Sequence, residues 1–360
     1  MNVLFTPVRI GSVTVPNRFV RSATHDYMAT DDGRVTDAEV DLYRRLAEGE
    51  VGLIVTGHAF VQPSGKASPR QMAVHDDRFV EGLARIPAAV RGFPSRVFLQ
   101  IAHAGRQTKP SLCGCVPVSP SAVYDPSSKV MPRELSGDEI RDLIDDFVLA
   151  AVRAKKAGFD GVQLHAAHGY LLSSFLSPHT NRRTDSWGGG VDGRAGVLVH
   201  TLMGVKAACG RDFPVIVKLN STDFLDDGST LDDAVGIAGL LETAGIDGIE
   251  VSGGMAEAGR GSVWPGLRSE SEEGYFVENA ARIRRAVGVP VFGLGGIRNL
   301  AVAERIVAEG LVDLVSLSRP LIRNPFLVKE FREGRTARSE CVSCNKCFNP
   351  RGIRCAELPK

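Results

Sequence analysis

Short runs of Val, Ile, Leu and Phe recur along this chain, and most are separated by stretches whose apolar residues return every three or four positions. The runs are Phe19–Ser22, Gly52–Thr56, Arg96–Gln100, Gly161–His165, Val215–Leu219, Gly248–Val251, Val291–Leu294 and Leu314–Leu317. Near-continuous apolarity over four or five residues is the mark of strands covered on both faces, as in a parallel sheet. The intervening periodicity predicts helices over Asp37–Glu48, Ser136–Ala157, Gly193–Ala208, Leu231–Ala244, Phe276–Val287 and Leu300–Glu309. Two joints repeat one idiom: LIDDFVLAAVRAKKAGFDGVQL and DDAVGIAGLLETAGIDGIEV each run helix, Ala-Gly, Asp-Gly, strand. The glycine supplies a left-handed helix stop and the strand starts at once, as in a short αβ connection.

Eight such strands with crossover helices predict an α/β fold, a TIM (β/α)8 barrel. A doubly wound sheet fits less well, because no early glycine-rich βαβ fingerprint opens the chain. The connections entering strands are brief, whereas long polar stretches follow Gln100, His165 and Val251. In a barrel the loops after the strands form the active-site face, so chemistry is expected there. The barrel is assigned to residues 1–335 and a short cysteine-containing tail to 336–360, where Lys, Arg and Cys replace the apolar alternation.

Composition narrows the class. A length of 360 residues is ordinary for such a barrel, and 43 basic against 42 acidic side chains leave almost no net charge. A nucleic-acid or anionic-membrane partner would need a sustained positive field, so neither is expected. The N-terminus lacks an apolar run behind a basic start, and no window approaches a spanning helix. Seven cysteines, four of them crowded near the end, do not make a secreted disulfide framework. The expectation is a cytoplasmic enzyme with a small-molecule substrate.

Three clusters carry candidate chemistry. His165, His168 and Tyr170 follow a strand directly, where two imidazoles can polarise a carbonyl oxygen and a phenol can deliver a proton. The spacing alone also admits a structural histidine pair or a metal site, although no HExxH helix accompanies it. The charged loop Asn181–Gly189, with Arg194 behind it, either walls the pocket or braces it through Arg–Asp pairs. Gly295 and Gly296 after the seventh strand, with Ser318 and Arg319 after the eighth, suit a phosphate: glycines let backbone amides approach, and the arginine adds charge.

These motifs together resemble the old yellow enzyme family of FMN-dependent ene-reductases, in the bacterial branch related to 2,4-dienoyl-CoA reductase and trimethylamine dehydrogenase. The resemblance is carried by HAAHGYLLSSFLSPHTNRRTDSWGG, PNRFVRSAT, QIAHAGRQ, EVSGG, GLGGI and SLSRPLIRNP, in order over essentially the whole chain. It implies a flavoprotein that takes hydride from NADH or NADPH as co-substrate and reduces the activated C=C bond of an α,β-unsaturated carbonyl or enoyl-CoA-type compound. By resemblance, Ser22, Ala23 and Thr24 touch the flavin, Gly57 lines its edge and Gln100 bonds its pyrimidine. Lys218 sits near the flavin atoms that become anionic, and Gly295, Gly296, Ser318 and Arg319 bind the phosphate. His165 and His168 hold the substrate carbonyl, Tyr170 protonates the α-carbon, and His25 and Tyr27 face the substrate. His25 departs from the family, many of whose members carry a cysteine or threonine there. The C-terminal arginine with which some relatives reach a neighbouring subunit is not recognisable, so a homo-oligomer is left open.

Long members of this branch bind a 4Fe–4S cluster on cysteines like Cys341, Cys344, Cys347 and Cys355, but here the last gap is shorter. A 4Fe–4S cluster, zinc and unligated thiols remain three readings of that tail. Two other functions also remain: an FMN-dependent amine dehydrogenase or oxidative demethylase, and a non-enzymatic FMN-binding scaffold.

Overall fold

The computed structural model describes residues 2–259 and 261–358. Eight parallel strands close into a barrel: β1 (Phe19–Arg21), β2 (Leu53–Val55), β3 (Arg96–Ala102), β4 (Gly161–Ala166), β5 (Val215–Asn220), β6 (Gly248–Ser252), β7 (Val291–Gly293) and β8 (Leu314–Leu317). Each pairs with the next in sequence, and Leu317 of β8 opposite Arg21 of β1 closes the ring. The crossover helices are α1 (Asp37–Glu48), α2 (Val80–Val90), α3 (Gly137–Lys156), α4 (Val191–Cys209), α5 (Leu231–Thr243), α6 (Val277–Arg284), α7 (Leu300–Ala308) and α8 (Leu327–Arg332). Gly158 and Gly245 hold φ of +91° and +93°, the helix stops that the repeated idiom predicts. Among the described residues no helix is long and apolar enough to cross a membrane.

Side chains alternate across each strand, so the barrel has two cores. Outward residues pack against the helices in a continuous apolar shell. Inward, Val20, Leu53, Val55, Phe98, Ile216, Phe292 and Leu314 fill the lower half, and Ile10 and Val15 of an N-terminal hairpin cap it from below. Phe98 needs that room: a Cβ on Gly161 would stand 2.7 Å from its ring. The upper half is polar. Gln100 Nε2 donates to Gln163 Oε1 at 2.7 Å, Gln163 Nε2 to Glu250 Oε2 at 2.8 Å, and Lys218 Nζ lies 3.4 Å from Glu250 Oε2. The floor of the site is thus a bonded polar layer resting on a dry plug.

Beneath the loop after β1, Tyr43 donates to Asp26 Oδ2 at 2.7 Å and receives the Gly57 amide at 2.8 Å. Glu39, which closes the capping box of α1 with Thr36, lies fully buried beside Asp26. Burial, and then the charge of Asp26, push the Glu39 carboxyl up to about 9. An unfolded glutamate titrates near ~4.3. Its contribution to stability is therefore complete below that value and is lost as pH rises through the folded one. Glu39→Gln keeps the capping box and removes the titration, since glutamine serves equally at that position. The variant should gain melting temperature over wild type, and gain more at about pH 9 than at about pH 6. A difference that does not change with pH would show that Glu39 is not the titrating group.

Candidate functional site

The loops after the strands enclose a cavity of about 450 Å³ above the polar layer. Ser22, Ala23, Thr24, Gln100, His165 and Lys218 come up from the strand ends, while Gly295, Gly296, Ser318 and Arg319 form one flank. His25, His168 and Tyr170 stand on the opposite side. Lys218 Nζ donates to Ser22 Oγ at 2.9 Å and to the Ala23 carbonyl at 3.2 Å, so the charge is fixed at the cavity floor. Thr24 Oγ1 and Ser318 Oγ lie 2.7 Å apart, tying the first strand end to the last.

On the flank, Gly295 takes φ of +133°, and a Cβ there would meet the Tyr275 amide nitrogen at 2.5 Å. A side chain at this position would also close the approach to the backbone. Arg319 Nη1 donates to the Trp264 carbonyl at 2.8 Å and to Asn345 Oδ1 at 2.7 Å, which aims the guanidinium beside Gly296. Backbone glycines and a braced arginine are the donor set for a phosphate monoester.

The opposite wall is aromatic and neutral. The His165 and Tyr170 rings lie 4.6 Å apart, and His165 meets His168 edge-on at 5.4 Å. Ser252 Oγ holds His168 Nε2 at 2.7 Å, and the Asn220 side chain receives the His168 amide at 3.0 Å, fixing a residue whose φ is +62°. Burial, then neighbouring imidazole and ammonium charges, drives His165 well below the usual histidine range; burial and then Lys218 take His168 to about 3. Burial, then Tyr27, raises the Tyr170 phenol far above its ordinary value. Two neutral imidazoles and an un-ionised phenol can donate hydrogen bonds without carrying charge.

Not every expected residue reaches the cavity. Gly57 does not line it: the residue packs against Asp26, where a Cβ would lie 2.8 Å from Oδ2, and its amide donates to Tyr43. Tyr27 packs its ring 3.7 Å from that of His25 and does not itself line the cavity. The charged loop after the histidines braces instead of walling: Arg183 pairs with Asp185 at 2.5 Å and donates to the Leu135 carbonyl at 2.6 Å, and Arg194 pairs with Asp233 at 2.8 Å. His58, Gln107, Ser252, Tyr275 and Phe348 line the cavity and were missed. His58 was within reach, one residue beyond Gly57 and two beyond the apolar run that ends at Thr56. Phe348 was not, because it arrives from the tail.

The tail folds back over the barrel mouth. Ser339 donates its amide to the Arg298 carbonyl at 2.9 Å and Ile353 to the Asp26 carbonyl at 2.7 Å. Cys341, Cys344, Cys347 and Cys355 all line a second, small cavity of about 20 Å³, next to Arg319 and Arg323. Among the described residues no three ligands converge closely enough for a single metal ion. Four thiols lining one small cavity are the donor set that a cubane cluster uses.

For FMN the fit is direct. The Nδ1 atoms of His25 and His165 are buried without a partner among the described residues, and both side chains line the main cavity. A buried polar atom left unbonded is costly unless a ligand completes it. A cavity with a phosphate cradle on one flank, a fixed cation on its floor and unpaired imidazole nitrogens on its wall suits a flavin mononucleotide.

Comparison with known proteins agrees with this geometry. A family model described as the NADH:flavin oxidoreductase / NADH oxidase family matches residues 3–338. An NADH oxidase of Thermoanaerobacter brockii is 38% identical over 99% of this chain, which spans only 56% of that protein. An NADPH dehydrogenase of Bacillus subtilis is 34% identical over 91% of this chain and 93% of its own length. Among solved structures, a 2-naphthoyl-CoA reductase in complex with 2-naphthoyl-CoA superposes with a TM-score of 0.89 at 30% identity, covering 96% of this chain and 54% of that one. A match over nearly the whole barrel, with the cradle, cation and aromatic wall in place, leads to one conclusion: this chain belongs to the NADH:flavin oxidoreductase / NADH oxidase family.

Proposed function

We propose that this protein is an FMN-dependent ene-reductase that takes hydride from NADH or NADPH and saturates the C=C bond of an α,β-unsaturated carbonyl or enoyl-CoA-type substrate. The observation that carries this reading is the wall of His165, His168 and Tyr170: two neutral imidazoles and a neutral phenol facing one cavity, with His165 Nδ1 unpartnered. Bound FMN would supply a two-electron carrier between nicotinamide and substrate. The chain itself does the rest. His165 and His168 hold the substrate's carbonyl oxygen, where negative charge grows as the double bond is reduced. Tyr170 delivers a proton to the α-carbon. Lys218 offsets the negative charge that a reduced flavin carries. The phosphate rests on Gly295, Gly296, Ser318 and Arg319, with Ser22, Ala23, Thr24 and Gln100 around the ring system.

The enoyl-CoA option draws support from the reductase structure solved with a CoA thioester. Cys341, Cys344, Cys347 and Cys355 are assigned to a 4Fe–4S cluster, supported by their ring around one cavity. A cytoplasmic setting agrees with seven cysteines, all free in the structure. Residues 336–360 are taken as an appendage to the barrel rather than a part of it.

The purified protein should be yellow, bleach anaerobically with NADH or NADPH, and regain colour when cyclohexenone is added. Reoxidation by the enone and no bleaching by methylamines is the expected result. Bleaching by a methylamine instead would assign the chain to amine oxidation, and a flavin that no nicotinamide reduces would leave only a binding scaffold. Iron and zinc analysis of the same sample decides the tail.

A further inference from the structure

We infer that His58 is a positioning residue for Tyr170: oriented by Gln71, it donates a hydrogen bond from Nε2 to the phenol oxygen, so that the phenol's own hydrogen is directed into the cavity. The inference rests on the ene-reductase reading, in which Tyr170 is the proton donor, and extends it to residues outside the HAAHGY motif.

The geometry fixes each hydrogen in turn. The Ala67 amide donates to Gln71 Oε1 at 2.7 Å, which settles which end of that buried carboxamide is oxygen. Gln71 Nε2 therefore faces His58, donating to Nδ1 at 2.6 Å and to the His58 carbonyl at 3.3 Å. An Nδ1 that accepts cannot carry the proton of a neutral ring, so the proton sits on Nε2. Neutrality is enforced first by burial and then by the Lys218 ammonium on the floor, in a ring held by the His25 imidazole stacked on it at 4.5 Å and the His165 ring at 6.0 Å. His58 Nε2 then lies 3.4 Å from the Tyr170 hydroxyl oxygen. The contact is long, and contacts of this kind commonly shorten as charge develops in the transition state.

The other tautomer would have the opposite effect. An unprotonated Nε2 would accept the phenol hydrogen and hold it away from the substrate. With Gln71 setting the proton on Nε2, the Tyr170 hydrogen is free to point elsewhere, and no other described residue forms a hydrogen bond with that hydroxyl. In the step itself the Tyr170 O–H bond breaks as a C–H bond forms at the substrate's α-carbon. That carbon holds the electron pair displaced by hydride uptake at the β-carbon, the hydride deriving from NAD(P)H. The tyrosinate left behind keeps the His58 N–H and regains its proton from water. Burial alone makes Tyr170 a reluctant acid, and a donor aimed at the oxygen where charge appears lowers that cost selectively in the transition state.

Two measurements test this. In protein carrying ¹⁵N-histidine, the ring resonances that vanish in His58→Gln should show a protonated Nε2 and an unprotonated Nδ1; a proton on Nδ1 overturns the inference whatever the protein's reaction. Kinetically, His58→Phe should slow oxidation of the NAD(P)H-reduced protein by cyclohexenone about tenfold, the worth of one hydrogen bond. His58→Gln, whose amide nitrogen reaches the same place, should recover most of that rate. In a Tyr170→Phe background, His58→Phe should cost nothing further, since the bond's other partner is gone. An undiminished loss in that background would show that His58 acts independently of Tyr170. If wild type is not oxidised by any enone, the ene-reductase reading fails, while the nitrogen resonances still decide the hydrogen-bond relay.

Discussion

Replacing Tyr170 by phenylalanine is expected to leave the protein yellow and reducible by NAD(P)H, but to slow its reoxidation by cyclohexenone by roughly 10²–10⁴, the range that a positioned general acid supplies. The phenol sits in the cavity wall with its ring 4.6 Å from that of His165, and burial keeps it un-ionised across the accessible pH range. Only the hydroxyl is removed, so the ring packing against His58 and His165 survives and the cavity keeps its shape. The loss should therefore appear in the oxidative half-reaction alone, and stopped-flow measurement of the two halves separates them. Equal slowing of both halves would show that Tyr170 shapes the cavity rather than supplying a proton. A nitroalkene gives a second readout, because the nitronate formed after hydride uptake persists long enough to be detected without its proton.

Much of this site was legible because a barrel places function at predictable points. Each of the eight apolar runs became a strand, with ends shifted by no more than two residues, since an enclosed parallel strand must be apolar throughout. Residues at the ends of those runs, or just after them, had to reach the barrel mouth, which is why His165, Lys218, Gly295 and Arg319 all line one cavity. The misses have physical causes. Helix α2 carries Pro87 inside it, a residue that argues against a helix until one sees that it falls in the final turn, where Arg91 N still bonds the Pro87 carbonyl. The Asp26–Tyr43 pair on which Gly57 packs is a tertiary contact that no local pattern announces. The role of His58 depends on Gln71, thirteen residues away, and on an amide that fixes the orientation of that glutamine. Hydrogen-bond direction of that kind is settled only when the fold brings the groups together.

Lys218→Ala is expected to act twice, on stability and on flavin reduction, and a second substitution should part the two effects. Lys218 Nζ stands 3.4 Å from Glu250 Oε2 on the barrel floor, and both side chains are almost wholly buried. Burial disfavours the charge on each. Lys218 is pulled below the usual lysine range despite its partner. Glu250 ends below the usual carboxylate range, because Lys218 and the bonds from Ser22 and Gln163 outweigh burial. Removing the lysine takes away the carboxylate's ion-pair partner, at a cost of about 3–5 kcal/mol. With flavin held at a fixed saturating concentration, that corresponds to a melting temperature lower by roughly 4–7 °C for a chain of 360 residues. Glu250→Gln in the same chain removes that charge while still accepting from Gln163, so most of the lost stability should return. The rate of reduction by NAD(P)H should not. A cation beside the flavin stabilises the negative charge of its reduced form, and losing that contact costs ~1.5–3 kcal/mol, about tenfold to a hundredfold in rate. The double variant should therefore melt near wild type and still be reduced slowly. If Glu250→Gln restores the rate as well, Lys218 serves only to neutralise Glu250, and the cation that supports the reduced flavin must be sought elsewhere on the cavity floor.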